Sequence, residues 1–134
     1  MNHPSALRPR LAAILAALKA HPLAPYLVVF GSVARGTSGP YSDLDVFLDC
    51  ACREPTPSEL GALLALCRRY YGSLDVFLRT QTAGLYVRDE EATDWTRARN
   101  ARSILRSVRR EGVPLSTGEA GAAVGDGTAG QPRK

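Results

Sequence analysis

The phrase "LDVFL" occurs twice, at residues 44–48 and 74–78, and what lies between the copies dictates how they can pair. The intervening "REPTPSELGALLALCRRYYG" carries the punctuation of a helix. Thr56 stands as N-cap, Pro57 at the first helical position, Glu59 three residues after the cap, and Gly72 at the end. Leu60, Leu63, Leu64 and Cys67 give that helix one apolar face. A strand–helix–strand crossover joins parallel strands and is right-handed almost without exception. The two copies are therefore expected side by side, pointing the same way. In-phase pairing sets Asp45 beside Asp75, Phe47 beside Phe77 and Asp49 near Arg79. The flanking sequences do not match, so two buried strands of similar composition explain the likeness better than an internal repeat.

The remaining elements follow from periodicity. Leu7, Leu11, Ile14, Leu15 and Leu18 recur at helical spacing over residues 5–20, and Pro9 moves the expected start of that helix to about Arg8. "YLVVF" at residues 26–30 reads as a buried strand. A short helical turn and a loop marked by Gly39-Pro40 follow it. "GLYV" at residues 84–87 is expected as a short fourth strand and residues 91–110 as a last helix. The expected class is α/β in the broad sense (α+β), a mixed sheet of three or four strands flanked by about four helices. From Gly112 onward Gly, Ala, Ser and Thr dominate, so a domain at residues 1–111 and a disordered Gly/Ala-rich tail at 112–134 are expected.

Composition narrows the function classes. With 45% apolar and 22% charged residues, the chain is of soluble globular type. No apolar run reaches the roughly 18 residues of a membrane span. The N-terminal apolar stretch is interrupted by Lys19 and followed by His21-Pro22 rather than a small-residue cleavage site, so an amphipathic helix is expected there and not a signal peptide. Cys50, Cys52 and Cys67 are odd in number and lack zinc spacing, which points to free thiols and a cytoplasmic location. The formal charge of +4 mildly favours an anionic partner: a nucleotide, RNA or an acidic protein surface.

Side chains on a strand alternate faces. Asp43, Asp45, Phe47 and Asp49 share one face of the first copy, and Asp75, Phe77 and Arg79 share one face of the second. Three carboxylates then converge at one end of the sheet, where they repel one another unless a cation intervenes. Carboxylates without neighbouring His or Cys suit a hard ion such as Mg²⁺ or Mn²⁺. Asp-x-Asp alone is common by chance; "FGSVARG" upstream of it strengthens the pattern. Gly31 permits close backbone approach, Ser32 offers a hydroxyl, and the free N–H groups of the turn face any anion placed there. This phosphate cradle is not a P-loop, since the Lys-Ser/Thr ending is absent.

"GSVARGTSGPYSDLDV", residues 31–46, resembles the signature of the DNA-polymerase-β-like nucleotidyltransferase superfamily: Gly-Ser, a spacer of about ten residues, Asp-x-Asp, and a third carboxylate on a later strand. The Ala-Arg-Gly and Ser-Asp-Leu-Asp details look most like the minimal nucleotidyltransferase (MNT) group, and the resemblance extends over residues 7–112. It implies a polymerase-β-like core. It also implies Gly31 and Ser32 at the β- and γ-phosphates of ATP, and two Mg²⁺ ions on Asp43 and Asp45. Asp75 would complete the metal site and help deprotonate the acceptor hydroxyl. Arg35 would either neutralise phosphate charge or tie the loop to the sheet. The chain lacks the extra helical domain with which larger members grip their acceptors, so a partner is expected to complete the acceptor site. In the MNT group that partner is typically a HEPN-domain ribonuclease toxin, silenced by addition of AMP. Modification of tRNA or a small molecule, and masking of a partner without catalysis, are the alternatives.

Arg97, Arg99, Arg102, Arg106, Arg109 and Arg110 crowd the last helix, with Ile104, Leu105 and Val108 as its apolar contact. Asp89, Glu90, Glu91 and Asp94 at its expected N-terminus would suit the helix dipole. The arginines read either as a solvated face or as a docking face for an acidic partner or RNA, without the interleaved aromatics that stack single strands.

Overall fold

The computed structural model describes residues 4–37, 43–82 and 84–115. Its elements are helix α1 (Pro4–Lys19), strand β1 (Leu27–Phe30), the one-turn helix α2 (Ser32–Arg35), β2 (Leu44–Asp49), α3 (Pro57–Arg69), β3 (Leu74–Arg79), β4 (Leu85–Arg88), β5 (Trp95–Arg97), α4 (Ala101–Glu111) and β6 (Val113–Pro114). A single 3-10 turn at Ala24–Tyr26 leads into β1. The loop expected around Gly39-Pro40 lies outside the described residues. No helix among the described residues is long and apolar enough to cross a membrane.

The strands form one mixed sheet in the order β5-β4-β3-β2-β1-β6. The repeated phrase makes its centre. β2 and β3 run parallel, with Asp45 opposite Asp75, Phe47 opposite Phe77 and Asp49 opposite Arg79, as the crossover required. β1 and β4 flank this pair antiparallel. The crossover helix α3 begins with the expected capping box: Thr56 accepts from the Glu59 N–H, and Glu59 accepts from the Thr56 N–H.

Alternation sorts the central strands onto two faces. Leu44, Val46, Leu48, Leu74, Val76 and Leu78 join α1 residues Leu11, Ile14, Leu15 and Leu18 and α3 residues Leu63, Leu64 and Cys67 in the main core. Each such aliphatic side chain, fully buried, contributes about 1.5–3 kcal/mol. Phe30, Phe47 and Leu85 form a smaller cluster on the other face, against Phe77 and the α4 residues Ile104, Leu105 and Val108. Phe30 meets Phe77 edge-on, with ring centroids 5.6 Å apart. The carboxylates of the repeated phrase thus belong to the thinner layer, the one covered by α4.

Four expectations need correction. Among the described residues the sheet has six strands rather than three or four, because short β5 and β6 extend its two edges. The last helix starts at Ala101, not at residue 91. Asp89 accepts from both the N–H and the hydroxyl of Thr93, at 2.8 and 2.7 Å, and closes a turn there. Ala92 in that turn has φ 56°, a left-handed conformation no helix continues through. Trp95 therefore lies in β5, and the acidic residues belong to the β4–β5 connection instead of a helix N-terminus. The ordered domain also continues past residue 111. Val113 and Pro114 pair with β1, Leu115 is fully buried, and its N–H donates to the Leu27 carbonyl at 2.9 Å. Finally, α1 reaches back to Pro4, a turn before the start that Pro9 suggested.

Candidate active site

β1 ends where β2 and β3 begin, and the residues singled out from the sequence meet at this corner. Phe30 pairs with Asp45, so Gly31 sits beside that carboxylate. Gly31 has φ 81° and ψ −157°, a conformation reserved for glycine. A Cβ at this position would lie 2.5 Å from Asp45 Oδ2. The bare glycine is thus what lets the Asp45 carboxylate lie against the backbone. Ser32 opens α2 immediately afterwards. Its hydroxyl has no hydrogen-bond partner among the described residues.

Asp43, just before β2, lies near enough to Asp75 for the two carboxyls to interact. Burial raises its carboxyl to about 6, with the charge of Asp75 second and Arg88 opposing. Asp45 is raised further, to about 7, again first by burial and then by Asp75 and Asp43, with Arg35 opposing. Asp43 and Asp45 therefore both feel the neighbouring carboxylates and resist ionisation. Asp75 is held by Arg88, whose Nη2 approaches its Oδ1 at 3.1 Å. Arg88 also donates to the Asp89 carbonyl at 3.0 Å and lies 4.7 Å over the Tyr71 ring, while its buried Nε has no partner among the described residues.

Arg35 is tied elsewhere. Its guanidinium donates to Glu111 Oε2 at 2.7 Å. The same oxygen accepts from the Gly31 N–H at 3.1 Å and from the Ser107 hydroxyl at 2.5 Å. Sequence reasoning missed both Glu111 and Arg88. Glu111 carries a faint signal, a lone acid ending an arginine-rich helix. Arg88 carries none, because its partner is defined only by strand register. At the opposite end of the repeated phrase Asp49 and Arg79 pair at 2.6 Å. That pair is partly exposed and contributes at most about 1 kcal/mol.

The donor set suits a hard divalent cation. It consists of acceptor oxygens only, and two of the three carboxyls are held above their usual range, first by burial and then by the charge of their neighbours. As they stand, no group of three His, Cys, Asp or Glu side chains among the described residues is drawn together closely enough to enclose an ion. The Arg88 guanidinium supplies positive charge to the cluster instead.

A profile of the nucleotidyltransferase domain matches residues 14–99, nearly two-thirds of the chain. The chain belongs to this nucleotidyltransferase family. No curated protein matches it. Membership makes the protein a transferase and implies a nucleoside triphosphate as donor. The matched segment of the nucleotidyltransferase contains Gly31, Ser32 and all three aspartates but stops short of α4, and so of Glu111.

Proposed function

We propose that this nucleotidyltransferase moves AMP from ATP onto a hydroxyl of another protein, using Mg²⁺ at Asp43, Asp45 and Asp75. We propose further that it acts as the antitoxin of a HEPN-domain ribonuclease toxin. The observation that carries the catalytic reading is the in-register pair Asp45–Asp75, joined by Asp43 and backed by a glycine with no room for a side chain. A corner where partly buried carboxylates crowd together is suited to cations and to the anions they bring.

Bound at the aspartates, Mg²⁺ would neutralise them and draw electron density from the phosphorus under attack. The chain's own residues do the rest. Gly31 lets the Asp45 carboxylate lie against the backbone, and the Ser32 hydroxyl, without a partner among the described residues, would donate to a phosphate beside it. Asp75 accepts the proton of the attacking hydroxyl. Arg88, now paired with Asp75, keeps that carboxylate aligned until the site fills. The resemblance to the MNT group supports the antitoxin role.

The test uses ATP labelled at the α-phosphate and a purified HEPN-domain protein as acceptor. Label should appear on that protein with Mg²⁺, and disappear with a chelator or in Asp43→Asn and Asp45→Asn. A variant that keeps wild-type transfer removes the catalytic assignment, and an unlabelled partner removes the toxin as acceptor.

A further inference from the structure

A cavity of about 400 Å³ opens beside Asp75, between α4 and the outer strands β4 and β5. Its apolar wall is made by Phe77, Val87 and Ile104, and Arg88, Arg97 and Arg99 also line it. We infer that the acceptor hydroxyl enters through this cavity and is carried on an acidic protein segment. The inference rests on the transferase reading above and assigns the acceptor side of the same site.

The direction of entry follows from strand order. Gly31 follows β1, Asp45 lies on β2, Asp75 on β3, and the cavity reaches β4 and β5. In the transfer, the acceptor oxygen bonds to the α-phosphorus while the bond from that phosphorus to the bridging oxygen breaks. The hydroxyl proton passes to Asp75 and pyrophosphate leaves. Attacking and leaving oxygens lie on opposite sides of phosphorus. If pyrophosphate departs at Gly31 and Ser32, the acceptor must approach from the far side of Asp75. Adjacent strands are about 4.8 Å apart. The approach therefore leads directly into the cavity.

The charge of the acceptor follows from the lining. Asp75 is the one acid among the described residues that line it, and that carboxylate is already paired with Arg88. Arg97 and Arg99 are exposed and pair with no acid among the described residues; Arg97 lies 5.9 Å over the Tyr86 ring. Arg102, Arg106, Arg109 and Arg110 continue the exposed cationic face along α4, likewise without acidic partners among the described residues. A cavity of this size has ample room for a tyrosine or serine side chain, and the cationic face beyond it attracts carboxylates on either side of that residue. A protein segment fits better than single-stranded RNA. The outer face of α4 carries no aromatic side chain, so it offers bases no stacking platform.

The experiment offers three probes to the full chain with Mg²⁺ and labelled ATP. These are peptides bearing one tyrosine or serine between glutamates, the same peptides with lysines in place of glutamates, and an oligouridylate. The glutamate peptides should be labelled at least ~10-fold faster than the lysine peptides. Arg97→Glu with Arg99→Glu should reverse that preference while ATP binding, read by calorimetry, stays unchanged. Equal labelling of both peptides, labelling of the oligouridylate alone, or no labelling at all by protein that binds ATP overturns the inference. So does a double variant that keeps the wild-type preference. Loss of Mg²⁺-dependent ATP binding in the unsubstituted protein would instead overturn the transferase reading itself.

Discussion

Asp45 is a carboxyl that the free protein is reluctant to ionise, and its direction of shift has a definite consequence for stability. The folded value, about 7, lies above the ordinary 3.8. A group raised in this way favours the folded state fully below the lower value. That contribution is lost as pH rises through the upper one. Without divalent cations, stability should therefore fall between about pH 4 and pH 7, with Asp43 adding to the loss. Asp45→Asn removes the larger part, at most about 4 kcal/mol. Thermal melts in a chelator should show the variant more stable than the parent at pH 8 and equal to it near pH 4. A variant less stable at pH 8 contradicts the electrostatic description of this corner. Mg²⁺ should narrow the gap by stabilising only the parent.

Among the elements, those with local punctuation were legible in the chain. Thr56, Pro57 and Glu59 define the start of α3 within four residues, and the crossover they announce aligned Asp45 with Asp75. Thr56→Ala should cost about 1 kcal/mol, measured as a lower melting temperature, because the Glu59 N–H loses its acceptor. An unchanged melting temperature would mean that the cap is replaced by solvent without penalty. What escaped the sequence depends on distant partners. β5 is three residues long and exists by pairing with β4, and the turn before it rests on Asp89 and a left-handed Ala92. Asp89, Glu90, Glu91 and Asp94 read as the acidic N-terminus of the last helix, since nothing within the segment marks Ala92 as a break. Glu111 meets Gly31 across 80 positions, a distance over which residue spacing carries no information.

At the scale of the molecule, the sheet is finished by the last strand. Leu115 is buried and bonded to β1, so it acts as the terminal plug of the main core. Gly112 has no room for a Cβ, which would lie 2.6 Å from the Val108 carbonyl and 2.7 Å from Val28. The chain therefore turns tightly from α4 into β6. Removal of residues 116–134 is expected to leave the melting temperature unchanged. Removal from Gly112 onward should lower stability by about 2–4 kcal/mol, since it empties a leucine site and unpairs β1. Equal stability of the two truncations would show that β6 contributes nothing to the sheet.

Glu111 holds Gly31 and Arg35 from the end of the helix that carries the exposed arginines. The turn proposed to meet the donor's phosphates is thus fastened by the element proposed to meet the acceptor. A phosphate that claims the Gly31 N–H must displace the Glu111 carboxylate, and a partner that shifts α4 loosens or tightens the same bond. Affinity at one end and docking at the other then become two readings of one equilibrium, and each must alter the other by the same factor.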